Sequence, residues 1–259
     1  MDRQKPRLLS RIFKALLSLV ACVACAQWAH AADVTVSAAA SLSNAFKDLA
    51  RAYETRYPQS KVLLNFGASG ALVQQMAKGA PVDVFASADQ ETMLQAQRQL
   101  LVAPRSAQTF ARNSLVVIVP AGSSHKLAGL SDLIGPGTQR LAVGSPASVP
   151  AGRYAKRALE IAQLWTAVQP KLIFTQNVRQ SLDYVARGEV DAGFVYLTDA
   201  VVMKDKVSVA FAVPLDEPVS YPIAPIVDSR APQEARRFIE FVLSPAGWDI
   251  LARHGFLQP

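Results

Sequence analysis

The chain has 259 residues, of which 51% are hydrophobic, so it can bury a core of ordinary size and is not a disordered segment. Its 27 Lys and Arg outnumber its 20 Asp and Glu, which gives a formal net charge of +7. Only two cysteines are present, Cys22 and Cys25, which excludes a disulfide-rich scaffold and a cysteine-based metal site in the rest of the chain. No dense basic run carries interleaved aromatics, so a nucleic-acid partner is not expected.

The first 31 residues have the order of a secretory signal peptide. A basic stretch precedes an apolar run over residues 15–26, and Ala29-His30-Ala31 fits the small-x-small cleavage pattern. The run is too short to cross a membrane. Cleavage after Ala31 would leave 228 residues with 22 basic and 19 acidic side chains. Export to the periplasm is therefore predicted. A lipoprotein anchored through Cys22 and a cytosolic protein with a hydrophobic first helix are the lower-ranked alternatives.

Short apolar runs alternate with amphipathic helical patterns in the remaining chain. The runs contain mainly Val, Ile, Leu and Phe with little polar alternation, which is typical of strands covered on both faces. Predicted strands are 34–37, 62–66, 82–87, 115–119, 141–143, 172–174, 192–196, 207–211 and 223–227. Helices are predicted around Phe46–Tyr57, at 152–163 and 178–187, and in the tail at 232–243 and 245–254. The alternation predicts an α/β fold of mixed, mostly parallel sheets flanked by helices.

Two interruptions of this rhythm favour a division into two lobes. A long strand is expected to begin around Arg112-Asn113-Ser114, and a proline-rich stretch over residues 214–225 precedes the tail helices. Both segments are candidates for crossovers between lobes. A cleft between two domains is a preferred place for a ligand.

Four segments place small residues at the start of a predicted helix. These segments are 38–44, 67–70, 149–152 and 176–179. The first N–H groups of a helix have no partner inside the helix, and the macrodipole adds positive potential there. If the four starts converge, they form a cage for a small oxyanion. Ordinary helix capping in an α/β fold would produce the same residue types.

The chain offers no convincing catalytic constellation. It has neither a Gly-x-Ser-x-Gly elbow nor a phosphate-binding loop. His125 and His254 lack metal-ligand spacing to other side chains, so neither a bare metal cation nor a cofactor is predicted. Asp83 and Asp89 are expected to fix a strand-to-helix turn. The chain is therefore expected not to be an enzyme, although an enzyme on the same scaffold is the alternative from another class.

Six motifs occur in the same order as in a known family. They are the segments 38–45 (Ala-Ala-Ala-Ser-Leu-Ser-Asn-Ala), 79–89, 113–117, 141–146, 149–152 (Val-Pro-Ala-Gly) and 194–199 (Phe-Val-Tyr-Leu-Thr-Asp). The chain thereby resembles the molybdate-binding proteins of bacterial ABC importers, which have the two-lobed type II periplasmic binding protein fold. The resemblance implies a ligand cleft between two α/β lobes. After the signal peptide predicted at 1–31, it places a discontinuous lobe 1 at 32–111 plus 221–259, and lobe 2 at 112–220.

The resemblance also implies which residues bind the ligand. Proteins of this family hold tetrahedral molybdate or tungstate through uncharged donors. Carried over by motif, Ser41 and Ser69 would each give a hydroxyl and an N–H, Ala151 and Val178 an N–H, and Tyr196 its phenol. The loop 67–70 departs from relatives that carry a serine run there.

Arg179 adjoins this predicted site, next to Val178. It is assigned to a solvated helix face rather than to the ligand.

The function implied is that of a monomeric periplasmic receptor. It would capture molybdate, and tungstate with it, between two lobes and deliver it to the membrane permease of an ABC transporter. The alternative within the same class is a receptor for another tetrahedral oxyanion such as sulfate. A receptor for an organic solute would need a larger cleft with aromatics and a charged clamp, which the sequence does not indicate.

Overall fold

The computed structural model describes residues 33–124 and 126–259. The predicted signal peptide, with the candidate lipidation site Cys22, and His125 lie outside the described residues. Within the described ranges, no helix is long and apolar enough to cross a membrane.

The first of two five-stranded sheets has the strand order β2-β1-β3-β10-β4. Its strands are β1 Val34–Ala39, β2 Val62–Gly67, β3 Val84–Ala86, β4 Gln108–Asn113 and β10 Val219–Pro225. The strand β1 is parallel to β2 and β3, whereas β10 is antiparallel to β3 and β4. The helices that accompany this sheet in the chain are α1 Ser43–Arg56, α2 Ser69–Ala77, α3 Gln90–Arg98, α8 Pro232–Leu243 and α9 Pro245–Arg253.

The second sheet has the order β7-β6-β8-β5-β9. Its strands are β5 Leu115–Pro120, β6 Leu141–Gly144, β7 Leu172–Thr175, β8 Ala192–Tyr196 and β9 Val207–Ala212. Its helices are α4 Pro150–Ile161, α5 Trp165–Val168, α6 Val178–Ala186 and α7 Leu197–Val202; short 3₁₀ turns lie at Ala40–Leu42, Leu130–Ile134 and Gln169–Lys171. The predicted α/β class with mixed sheets and flanking helices is confirmed. Parallel and antiparallel pairings are equally frequent, because β5 and β10 run against both of their neighbours.

The buried faces follow the sequence pattern. Phe46, Leu49 and Tyr53 of α1 are fully buried, as the helical periodicity predicts, and Tyr57 is half-buried at the end of the same stripe. Phe46 and Tyr53 both pack edge-on against Phe238 of α8, which fixes these two helices to each other. Both helices thereby close one face of the first sheet.

A strand begins next to Arg112-Asn113-Ser114, as predicted, and a further strand that was not predicted ends there in the other sheet. β4 ends at Asn113 in the first sheet and β5 begins at Leu115 in the second, so the chain crosses between the sheets at Ser114. It crosses back between β9 and β10, inside the predicted proline-rich segment. The exact lobe boundaries at 111/112 and 220/221 stay a prediction.

Candidate functional site

The four predicted helix starts converge on one small cavity. The 3₁₀ turn Ala40–Leu42 follows β1 and α2 follows β2 on the first sheet, while α4 follows β6 and α6 follows β7 on the second. All four lie beyond the carboxyl ends of strands, where open α/β sheets place their ligands. The cavity is lined by Ala39, Ala40, Ser41, Gly67, Ala68, Ser69, Ala88, Val149, Pro150, Ala151, Asn177, Val178 and Tyr196. Both sheets therefore contribute to a single site.

All five residues named from the sequence line this cavity. They are almost completely shielded from solvent: Ser41 is 2% exposed, Ser69 0%, Ala151 1%, Val178 4% and Tyr196 1%. No lining residue carries a charge. The cavity has a volume of about 10 Å³, which is about the room that one water molecule needs. Such a site suits a small ligand and does not suit an organic solute.

The helix ends at the cavity offer backbone donors. The starts of the 3₁₀ turn, α2 and α4 have no side-chain cap. At α6 the Asn177 side chain accepts from the N–H of Gln180, two residues beyond Val178. The N–H groups in the first turn of a helix have no acceptor within it, and they carry its positive end. The arrangement therefore concentrates positive potential at the cavity without a cation.

Hydroxyl groups complete the donor set. Tyr221 donates through Oη to Ser41 Oγ at 3.1 Å, and the Ala88 N–H donates to Ser69 Oγ at 3.1 Å. Tyr196 Oη makes a long bond of 3.4 Å to the carbonyl oxygen of Ala88. Burial raises the pKa of both Tyr196 and Tyr221 well above the usual value, so both phenols keep their protons at neutral pH.

Arg179 does not lie on a solvated helix face, and that prediction is wrong. Its side chain is only 20% exposed and pairs with the fully buried Asp199, with 2.6 Å between Nε and Oδ1. Its other nitrogens donate across the cavity rim to Asn44 Oδ1 at 2.9 Å and to the carbonyl oxygen of Ser41 at 3.2 Å. A buried carboxylate without a cation is energetically costly, so its pairing with Arg179 favours the inward position of the guanidinium. Burial raises the pKa of Asp199, and Arg179 opposes that rise.

A second arginine joins the two sides of the cavity and was not found from the sequence. Arg153 of α4 donates through Nε to Asp89 Oδ2 at 2.8 Å and through Nη1 to the carbonyl oxygen of Pro146. Asp89 also caps α3 by accepting from the N–H of Thr92. The predicted turn-fixing role of Asp89 is confirmed, and its bond to Arg153 is an additional one.

Asp83 has a structural role, as predicted, but it does not fix the strand-to-helix turn after β3. Its carboxylate accepts from the N–H of Thr35 at 2.8 Å, from the hydroxyl of Ser229, and from the N–H groups of Arg230 and Ala231. These bonds tie the start of β3 to β1 and to the entry of α8. Among residues 33–124 and 126–259, no three His, Cys, Asp or Glu side chains lie close enough to hold a metal ion.

A larger groove of about 550 Å³ lies beside the cavity, around Arg153 and Tyr154. Its cations are already paired: Arg153 with Asp89, Lys156 with Glu160, and Arg157 with Asp216. The groove therefore offers an anion few free donors, in contrast to the small cavity.

Sequence comparisons match this chain to bacterial solute-binding proteins. The model of the bacterial extracellular solute-binding protein family matches residues 34–257. The chain is 37% identical to the molybdate-binding protein ModA of Escherichia coli (strain K12), over 86% of this chain and 88% of that protein. It is 34% identical to a putative ABC transporter substrate-binding lipoprotein, YvgL, of Bacillus subtilis (strain 168), over 86% and 85% of the two chains.

Solved structures share the fold. The periplasmic molybdate-binding protein of Azotobacter vinelandii superposes with a TM-score of 0.76 at 23% identity, over 87% of this chain and 99% of that one. The sulfate-binding protein SubI of Mycobacterium tuberculosis H37Rv gives a TM-score of 0.75 at 17% identity, over 87% and 86%. At these identities the likeness shows the two-lobed α/β fold alone.

Proposed function

Because the chain belongs to the bacterial extracellular solute-binding protein family, we propose that it is a receptor that captures molybdate, and tungstate with it, for import by an ABC permease. The observation that carries this proposal is the uncharged cavity at which helix starts from both sheets meet. The identity of 37% to a molybdate-binding protein supports the choice of ligand.

Neutral donors suffice for a dianion in this site. Taking an ion out of water costs tens of kcal/mol by Born solvation, so every anion oxygen must regain hydrogen bonds. Each bond to a charged group contributes roughly 1.5–3 kcal/mol. In the proposed site Ser41 and Ser69 each offer a hydroxyl and an N–H, Ala151 and Val178 an N–H, and Tyr196 its phenol. A cationic side chain in contact with the anion is then unnecessary.

Selection among oxyanions would depend on the size of the cavity. A smaller dianion such as sulfate would then fail to reach all donors together, and each buried donor left unpaired costs about 1–3 kcal/mol. A sulfate receptor remains the alternative, since sulfate has the same charge and tetrahedral shape.

The proposed place of action is the periplasm. The order of charge, apolar run and cleavage pattern over residues 1–31 supports export by a cleaved signal peptide. Anchoring through Cys22 is the alternative, and one relative is named a lipoprotein. The ligand-bound receptor would act as a monomer and present its closed form to the permease, without catalysing a reaction.

Calorimetry on the purified mature chain with molybdate, tungstate, sulfate and phosphate in parallel tests the proposal. Molybdate and tungstate are expected to bind with a micromolar or lower Kd, and sulfate and phosphate at least about tenfold more weakly. Tighter binding of sulfate would favour the alternative oxyanion. Absence of binding to all four would refute the oxyanion receptor, and turnover of a substrate in a hydrolase screen would favour the enzyme.

The assignment of Ser41 has its own test. Ser41→Ala removes the hydroxyl and should weaken molybdate binding by about tenfold or more, because a hydrogen bond to an ion is lost. Ser43→Ala is the matched control, since its hydroxyl bonds only to the neighbouring Asn44 side chain and does not line the cavity. Equal affinities of both variants would count against the site.

A further inference from the structure

The molecule contains a polar chain behind Ser41 that the proposed binding role does not by itself explain. We infer that Tyr221 and Asn113 are positioning residues that force the Ser41 hydroxyl to point its proton at the bound anion. The inference rests on the proposed oxyanion site and deepens it. It follows from the direction of three successive hydrogen bonds.

The first bond fixes the amide of Asn113. The N–H of Ser114 donates to Asn113 Oδ1 at 2.9 Å, and since an N–H can only donate, the oxygen of the amide must face it. The amide nitrogen therefore faces the other way. It donates to Thr198 Oγ1 at 2.8 Å and to Tyr221 Oη at 3.2 Å. Asn113 is buried, so the amide has little freedom to turn.

The second bond fixes the phenol of Tyr221. An amide nitrogen has no lone pair to offer, so Tyr221 Oη must accept from Asn113. The one proton of the phenol is then donated to Ser41 Oγ, which lies 3.1 Å away. The ring is fully buried and packs against Phe110, Tyr196 and Phe256, which holds the oxygen in place.

The third step concerns Ser41 itself. Because its oxygen already accepts from Tyr221, its own proton must be directed elsewhere, and Ser41 lines the cavity. A freely rotating hydroxyl can turn a lone pair toward an anion. The Ser41 hydroxyl is already oriented as a donor before the anion binds. A donor aimed in advance requires no reorientation when the anion binds.

Ser69 shows the same polarity by a different route. Its oxygen accepts from the N–H of Ala88, which again leaves its own proton to the cavity. On the Ser41 side the orienting groups are side chains and can be exchanged. They lie where the chain crosses between the sheets, Asn113 at the end of β4 and Tyr221 within β10.

The alternative hypothesis is that Tyr221 has a purely structural role as a buried phenol with satisfied hydrogen bonds. A double-mutant cycle between Tyr221→Phe and Ser41→Ala distinguishes the two hypotheses. Tyr221→Phe should weaken molybdate binding about 3- to 10-fold, the effect of one hydrogen bond. In the Ser41→Ala background the same change should alter the affinity by less than about twofold, because Tyr221 acts through Ser41. The same 3- to 10-fold loss of affinity in both backgrounds would overturn the inference.

Asn113→Asp is a second test variant, and it reverses the direction of the hydrogen bonds from position 113 to Ser41. A carboxylate only accepts, so it draws the proton of Tyr221 to itself, and Ser41 must then donate to Tyr221 and present a lone pair to the anion. Affinity should fall by about 30-fold or more, beyond the loss in Tyr221→Phe. The added negative charge also repels the anion, and this part of the affinity loss persists without the Ser41 hydroxyl. The part that acts through Ser41 disappears in the Ser41→Ala background, so the total loss should be smaller there. An undiminished loss would contradict the relay.

Tyr53→Phe is the matched control for deleting a buried phenol oxygen, since Tyr53 bonds to Glu234 in the first-sheet core and lies outside the cavity lining. It should lower the melting temperature and leave the molybdate Kd unchanged. Wild-type protein that binds none of the oxyanions would refute the proposed function and this inference with it. Wild-type protein that binds molybdate, with Tyr221→Phe and Asn113→Asp equal to it, would refute the orienting chain alone.

Discussion

At the scale of single residues, two arginines stand where the helix dipole disfavours them. Arg179 and Arg153 both lie in the first turn of a helix, near its positive end. Each is held there by a carboxylate, Asp199 and Asp89 respectively. In this chain both arginines at these helix starts pair with a buried carboxylate, and their unfavourable position on the helix was a sequence feature that could have placed Arg179 correctly.

Replacing Arg179 should make the stability depend on pH. In Arg179→Gln the carboxylate of Asp199 stays buried without its cation, which costs about 3–5 kcal/mol when it is ionised. The pKa of Asp199 is raised by burial, and losing Arg179 raises it further. Between the unfolded and the folded pKa the folded state holds more protons, so stability falls as the pH rises through that window.

Urea unfolding of Arg179→Gln and wild type at several values between pH 5 and pH 8 measures this effect. The deficit of the variant is expected to be small at the acidic end and to grow toward neutral pH. The double variant Arg179→Gln/Asp199→Asn should lose the pH dependence, because no titrating group remains at position 199. A deficit of equal size at every pH would contradict the explanation.

Side-chain chemistry alone could not identify every member of the candidate site. Ala151 and Val178 would act through their backbone N–H groups, so only a motif resemblance pointed to them. Tyr221 and Asn113 escaped notice because their contacts join residues far apart in the chain; Tyr221 and Ser41, for instance, are separated by 180 positions. No local pattern records such a contact before the sheets are assembled.

At the scale of elements, apolar runs predicted most strands, and the two failures have different local causes. β4 was missed because Gln108, Thr109 and Arg112 interrupt its apolar pattern, as is common in a strand at the edge of a sheet. The first half of β10 was read as a proline-rich connection. Pro222 is tolerated because the register with β4 shifts between Tyr221 and Pro222. Both strands adjoin the crossings between the sheets.

Gly70, in the first turn of α2, brings that helix against the loop before α4. Its N–H donates to the carbonyl oxygen of Ser148 at 3.0 Å, and a Cβ on Gly70 would lie 2.9 Å from Ser148 Cα and O. Because those atoms belong to the backbone, the two sides would have to separate. Alanine is also the better helix former, by about 0.5–1 kcal/mol.

Gly70→Ala should thus lower the affinity for molybdate without lowering the stability of the ligand-free protein. Urea unfolding without ligand should show equal or higher stability, while calorimetry should show molybdate binding about tenfold weaker, since closure around the anion is obstructed. Gly129→Ala is the control, because nothing lies within 4 Å of the Cβ it would add. Unchanged affinity in Gly70→Ala would mean that this close approach is not needed for binding.

At the scale of the whole molecule, most contacts that join the two sides of the cavity lie around it, whereas the bond from Tyr196 Oη to the carbonyl oxygen of Ala88 joins two lining residues. Arg153 reaches Asp89 on one flank, Arg179 reaches Ser41 and Asn44 on another, and Gly70 meets Ser148. Charges thus stabilise the closed arrangement, while uncharged donors face the proposed ligand. We expect closure and recognition to depend largely on different residues, with Tyr196 shared between them, so the two should be separable by mutation.

Arg153→Met tests that separation. The variant leaves Asp89 buried without its cation in the closed form, and opening rehydrates the carboxylate, so the population shifts toward the open form. The apparent affinity is proportional to the fraction of ligand-free molecules in the closed form. A smaller closed fraction therefore lowers the affinity for molybdate, tungstate and sulfate by one common factor, roughly 5- to 20-fold. Calorimetry should therefore find the ratios among the three anions unchanged, in contrast to Ser41→Ala, which removes a donor that the anions engage unequally.

Small-angle scattering supplies the second measurement. Ligand-free Arg153→Met should have a larger radius of gyration than ligand-free wild type, and saturating molybdate should bring the two to the same value. The surface variant Lys156→Met lies on the same helix and loses an exposed ion pair with Glu160 and a contact with the Trp165 ring, neither of which joins the two sheets, so it should behave like wild type. A changed ratio among the anions, with an unchanged radius of gyration, would mean that Arg153 shapes the cavity itself and that recognition and closure share their residues.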